Sequence, residues 1–256
     1  MTGIYIFITG LAVGSFLNVV IHRLPKDESI VRPGSYCPHC RKPVAWFDNI
    51  PLLSFLILGG KCRNCRGKIS WRYPAVELAS ALLWLFSWRA WDGAPMFWIQ
   101  VFFLTLLLAV SLTDLETGLI PDELSVFGIV AGLGTGFLYP AFHGKMRAVD
   151  GLLAGGLGMA AGAGLIYVTG LAGNWIFQRE SMGGGDVKLM AAIGSFLGWE
   201  KVLLTFFTAP FLALPFAFYR RLVKKEEIIP YGPFLSLAAA VQFFYGEIFW
   251  RYFLGL

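Results

Sequence analysis

Apolar positions gather into long runs separated by short polar stretches. Eight runs stand out, near residues 3–21, 75–91, 96–113, 123–139, 151–177, 187–199, 201–219 and 231–253. A helix needs about 20 apolar residues to cross the hydrocarbon core, with about 17 at the lower end. The pattern therefore predicts an all-α polytopic membrane protein with about eight transmembrane helices. The sixth run falls short of that length, so it is expected to lean on its neighbours or to begin deep in the protein. No basic residue precedes the first run, and it is long for a signal core, so it reads as an anchor. Residues 22–74 form a loop-rich insertion after the first helix, punctuated by Pro33, Gly34, Pro38, Pro43, Pro51, Gly59, Gly60 and Gly67. The chain then divides into 1–91 (first helix, insertion, second helix), a membrane core at 96–221, and a last loop and helix at 222–256.

Composition agrees with this picture. The 256 residues are 57% hydrophobic and 14% charged, against about 25% charged in soluble domains. The net charge of +5 is modest, but its placement is uneven. Ten of the 21 Lys and Arg lie in 22–74, and Arg220, Arg221, Lys224 and Lys225 lie in 220–230. The connection 92–95 has none. The positive-inside rule puts 22–74 and 220–230 in the cytoplasm and both termini outside. Lys145 and Arg147 are the discordant pair. Facing anionic lipid, the basic cluster reads as a topology signal, with no nucleic acid implied. Gly151/Gly155 and Gly158/Gly162 are small-xxx-small pairs, expected to be helix-packing contacts.

The insertion carries CPHC at 37–40 and CRNC at 62–65. Paired C-x2-C turns can present Cys37, Cys40, Cys62 and Cys65 to one tetrahedral zinc, in a zinc-ribbon-like module. Such a segment is too small to hold together by its core alone. A redox dithiol pair and unmetallated thiols are the alternatives. His39, between the first two cysteines, reads as a spectator.

Among the acids, Asp92, Asp150 and Glu200 fall at outer ends and read as solvated. Glu77 reads as a first-turn acid suited to the helix dipole. Glu247 lies within the last run without explanation. Asp114 closes the third run and Asp186 opens the sixth, both on the cytoplasmic side. Two carboxylates sharing a partly dry site separate in apparent pKa, so that one activates water and the other protonates a carbonyl, as in aspartic proteases. Gly183, Gly184 and Gly185 leave backbone bare for a substrate strand, with φ > 0 accessible. The alternative makes them a flexible turn with Asp186 as helix cap. Lys188 either holds Asp186 ionised or snorkels to the interface, the second reading being favoured. A proton-coupled transporter and a membrane thiol oxidoreductase are the rival functions.

These elements resemble one family. GSFLNVVIHRLP at 14–25, the paired CxxC, DNIP at 48–51, GKCRNC at 60–65, ISWRYPAVE at 69–77, TDLETGLIPDELS at 113–125, GGGDVKLMAAIG at 183–194 and YGPFLS at 231–236 are similar, in order, to the bacterial prepilin peptidases, membrane aspartyl peptidases of the GxGD class. The resemblance implies an enzyme of the bacterial inner membrane. It would remove the basic leader from type IV prepilins and type II secretion pseudopilins, at a Gly before a hydrophobic helix. It makes Asp114 and Asp186 the catalytic pair. It also implies N-methylation of the new terminus with S-adenosylmethionine as donor. No glycine-rich methyltransferase loop follows a strand, so the cofactor's residues stay unnamed, and 22–74 is the largest region available for them. Lipid and the prepilins are the expected partners; oligomeric state is not encoded legibly.

Overall fold

The computed structural model describes residues 2–91, 95–178, 182–224 and 229–254; Asp92 and Lys225 lie outside them. Helices carry the architecture: α1 (Thr2–Arg23), α2 (Leu53–Ile57), α3 (Arg72–Trp91), α4 (Pro95–Thr117), α5 (Asp122–Leu138), α6 (Ala148–Phe177), α7 (Gly184–Tyr219) and α8 (Gly232–Leu254). No β-strand forms among the described residues; isolated antiparallel bridges join Tyr36 to Pro43 and Lys61 to Lys68. Among the described residues four helical stretches are long and apolar enough to cross a membrane: Thr2–Lys26, Pro95–Thr117, Ala148–Ile176 and Gly184–Val223. α5 has 17 residues, while α3 carries Arg72, Glu77 and Arg89 and α8 carries Glu247 and Arg251.

The chain divides into two compact units, Met1–Thr105 and Leu106–Leu256, the division falling within α4. In the first unit α1 packs on α3 through glycines. A Cβ at Gly10 would lie 2.6 Å from the Ala81 Cα, and one at Gly14 2.6 Å from the Glu77 Cα. Small residues let two backbones approach where lipid removes the hydrophobic drive for association. Asn18 Nδ2 donates to the Tyr73 carbonyl at 3.1 Å, tying α1 to the start of α3. Trp84, Phe97 and Val101 form a buried cluster.

The second unit is built around α7. α6 lies against it along the expected small-residue stripe: a Cβ at Gly158 would meet the Gly194 carbonyl, and one at Gly162 the Met190 carbonyl. Gly151 instead faces Gly136 on α5. α7 breaks at Gly198 (φ 77, ψ 172), a conformation open essentially to glycine alone. Gly162 lies against both Met190 and Val202. Those two residues would stand about 18 Å apart along an unbroken helix, so the chain turns back on itself at Gly198. The turn explains why the sixth apolar run is short: it is the first arm of a helical hairpin.

Candidate active site and cysteine cluster

α4 ends at Thr117, and Gly118 (φ 67) closes it by donating its N–H to the Asp114 carbonyl at 2.8 Å, a left-handed C-terminal stop. This fixes Asp114 in the last turn of α4, with 5% of its surface exposed. Its Oδ2 accepts the backbone N–H of Gly232, the first residue of α8, at 2.8 Å. A Cβ at Gly232 would sit 2.8 Å from that same oxygen, so only glycine permits this approach.

Asp186 stands in the first turn of α7, where N–H groups without helical partners collect. Gly183 caps the helix in extended backbone (φ −76, ψ 150), and its N–H donates to the Asp186 carboxylate, half of a capping box. The cap residue is therefore Gly183, not Asp186. None of Gly183, Gly184 and Gly185 takes positive φ, and only Gly185 lies in close approach to a neighbour. A Cβ at Gly185 would press on Ile120 at 3.0 Å, while the space beside Gly184 is open to 4 Å. Asp114 and Tyr231 both lie within electrostatic range of Asp186. The two acids are thus brought together, with Tyr231 and Gly232, at the start of α8, beside them. Tyr231 and Gly232 were visible in YGPFLS only as a motif, since a backbone N–H leaves no mark in a sequence.

Lys188 does not snorkel freely. Its Nζ donates to both carboxylate oxygens of Asp122 at 2.6 Å, joining the N-terminal parts of α5 and α7. Glu247 also finds a partner, Lys201 at 3.4 Å. Glu77 departs from its expected place. α3 begins at Arg72, so Glu77 falls beyond the first turn and is buried. It accepts the Leu52 N–H at 2.9 Å. Leu52 (φ 58, ψ −48) forms a strained three-residue turn closed by the Leu53 N–H on the Pro51 carbonyl, so the carboxylate holds a backbone that would otherwise relax.

The four cysteines converge. Their Sγ atoms all lie within 4.8 Å of one another, and Cys37 and Cys65 are 3.8 Å apart. Each C-x2-C turn is built alike. Cys37 N–H donates to Lys42 and Arg41 N–H to Cys37; Cys62 N–H donates to Gly67 and Arg66 N–H to Cys62. Arg41 and Arg66 both take positive φ, 56 and 58. Backbone N–H groups of Cys65 and Asn64 hold the Cys62 thiol down to about 6. A zinc–sulfur bond of about 2.3 Å sets tetrahedral sulfur–sulfur edges of about 3.8 Å, so the donor set fits such an ion. His39 lies outside the set and packs beside Gly67.

Fold and site define a helical membrane protein with paired carboxylates at helix ends and a four-sulfur module. Residues 8–91 match the bacterial peptidase A24 N-terminal domain, and residues 101–218 match the type IV leader peptidase family. A prepilin leader peptidase/N-methyltransferase of Myxococcus xanthus is 40% identical over 201 residues, 78% of this chain and 57% of its own length. Proteins of the same name from Klebsiella pneumoniae and Burkholderia pseudomallei are 40% and 34% identical, over 81% and 96% of this chain and 90% and 86% of theirs. The chain belongs to the type IV leader peptidase family. The transporter and thiol oxidoreductase readings gain no support. No solved structure matches the chain.

Proposed function

We propose that the protein is an aspartic endopeptidase of the bacterial inner membrane that removes the basic leader from type IV prepilins and type II secretion pseudopilins. The observation that carries this is the pairing of Asp114, held by the Gly232 N–H, with Asp186 at the head of α7. One carboxylate takes a proton from water as its oxygen attacks the scissile carbonyl. The other gives its proton to the carbonyl oxygen. Collapse of the tetrahedral intermediate returns a proton to the leaving amine, and both groups are restored. The substrate strand lies along Gly183, Gly184 and Gly185, where the space beside Gly184 is open.

In this reading 1–91 carries the cysteine module, 96–221 the peptidase core and 222–256 the last loop and helix. The chain crosses the membrane eight times, through α1, α3, α4, α5, α6, the two arms of α7 and α8. The reversal at Gly198 supports separate crossings for the two arms, since 36 unbroken residues would span about 54 Å against a core of about 30 Å. Basic residues place the module and both aspartates on the cytoplasmic side, with the termini outside. Cys37, Cys40, Cys62 and Cys65 hold one structural zinc.

The relatives' names extend the activity to N-methylation of the new terminus, for which S-adenosylmethionine would supply the methyl group. Among the described residues no strand–loop–helix cradle exists for it, and no residue is assigned to it. Incubation with a prepilin in membranes, followed by mass measurement of the product, tests the proposal. Loss of the leader is expected; an intact leader at normal enzyme abundance contradicts it.

A further inference from the structure

The 22–74 module leaves large apolar side chains in the open. Trp46 is 81% exposed, Trp71 74%, Ile57 71% and Leu56 70%. Trp46, Leu56 and Ile57 belong to a connected surface. Trp46 meets Phe47 edge-on at 5.7 Å, and Phe47 shares a shallow groove with Leu53 and Ile57. On α2, Leu53, Leu56 and Ile57 stand three and four residues apart and so share a face. Trp71, which immediately precedes α3, packs instead on Phe55 at 4.7 Å, on the other side of α2. A contiguous apolar surface of this kind marks an interaction site.

Two observations name the occupant. First, the segment has ten Lys and Arg against three acids, Asp27, Glu28 and Asp48, a balance of +7 with His neutral. Second, the module is tethered at one end to α1, long and apolar enough to cross a membrane, and at the other to α3, which packs along α1 through Gly10 and Gly14. Its ends therefore lie at headgroup depth. Exposed tryptophans amid basic residues are the composition of a membrane interface. We propose that this face is seated in the headgroup layer, with anionic phospholipid as its partner: Trp46, Leu56 and Ile57 enter the interface while the segment's Lys and Arg meet the phosphates. The module is thereby a foot on the bilayer, which fixes its height above the membrane.

The test is hydrogen exchange of the full-length protein in nanodiscs of phosphatidylcholine alone and of phosphatidylcholine with phosphatidylglycerol. Exchange of the α2 amides, residues 53–57, is expected to slow about ten-fold in the anionic discs. A Leu56→Asp/Ile57→Asp variant is expected to lose that slowing. Equal exchange in the two lipids overturns the proposal, as does slowing that survives in the double variant. Slowing that appears only when a prepilin is added also overturns it, because the face then belongs to a peptide. Both leaflets of a nanodisc have the same lipid and no cleavage is measured, so the outcome is independent of the proposed topology and protease activity.

Discussion

Gly232→Ala tests how Asp114 is held. The new methyl would lie 2.8 Å from Asp114 Oδ2 and 3.3 Å from its Cβ and Cγ. Ordinary van der Waals contact for a Cβ begins at 3.4 Å, so the carboxylate must move by the difference, about 0.6 Å, or α8 must shift with it. Asp114 is buried and its neighbours leave little room, and the move also stretches the 2.8 Å hydrogen bond from the Gly232 N–H. A misplacement of about 1 Å in a reacting group costs about 10²-fold in rate, so a shift of this size predicts a loss of about 10-fold to 10²-fold in kcat/KM. That corresponds to about 1.4 to 2.7 kcal/mol of transition-state stabilisation. The assay is leader removal from a prepilin in proteoliposomes at matched enzyme abundance. Gly134→Ala is the control, since nothing lies within 4 Å of the added methyl, and it should cleave at the wild-type rate. Wild-type cleavage by the Gly232→Ala protein, inserted and thermally intact, would refute the claim that the start of α8 positions Asp114.

Three other outcomes follow from the same structure. Elemental analysis of purified protein should give one zinc per chain, with Cys62→Ser losing it; four titratable thiols and no metal in folded protein would reject the tetrahedral site. Reversing either charge of the Lys188–Asp122 pair should slow cleavage less than about five-fold, because an exposed pair contributes about 0.2–1 kcal/mol, and the double exchange Lys188→Asp/Asp122→Lys should restore most of it; additive losses would deny the pair. Gly158→Ala forces a methyl onto the Gly194 carbonyl and should destabilise by about 1–3 kcal/mol through overpacking, read as a lowered Tm in detergent, while Gly156→Ala, whose added methyl meets nothing within 4 Å, should not.

Much of this molecule is legible as pattern. The apolar runs mark where helices lie, because length and hydropathy are local properties, and the paired C-x2-C spacing brings the sulfurs together because each turn is itself local. Asp114 and Asp186 are readable as partners because both sit at helix ends. What escapes is register between distant segments. Lys188 and Asp122 are separated by 66 positions, and nothing in either neighbourhood names the other. Glu77 was misplaced because α3 begins before Pro74, at Arg72, which moves it out of the first turn and onto the Leu52 backbone. The glycines before Asp186 invite an expectation of positive φ, yet Gly183 is extended and the others helical. Only at Gly185 does the missing side chain leave space that a neighbour, Ile120, takes, which composition alone does not distinguish from flexibility. The positive φ that matters for the architecture sits instead at Gly198, where the chain reverses.

The central claim is that Asp114 and Asp186 act as one catalytic unit. An amide keeps the shape of each side chain but cannot exchange the proton that hydrolysis requires. The most direct measurement is the mass spectrum of a prepilin incubated in membranes with the Asp114→Asn, Asp186→Asn and double variants, each present at wild-type abundance. Loss of leader removal in both single variants, with no further loss in the double, is the predicted result for groups that work together. Near wild-type removal by the Asp186→Asn protein would contradict the account.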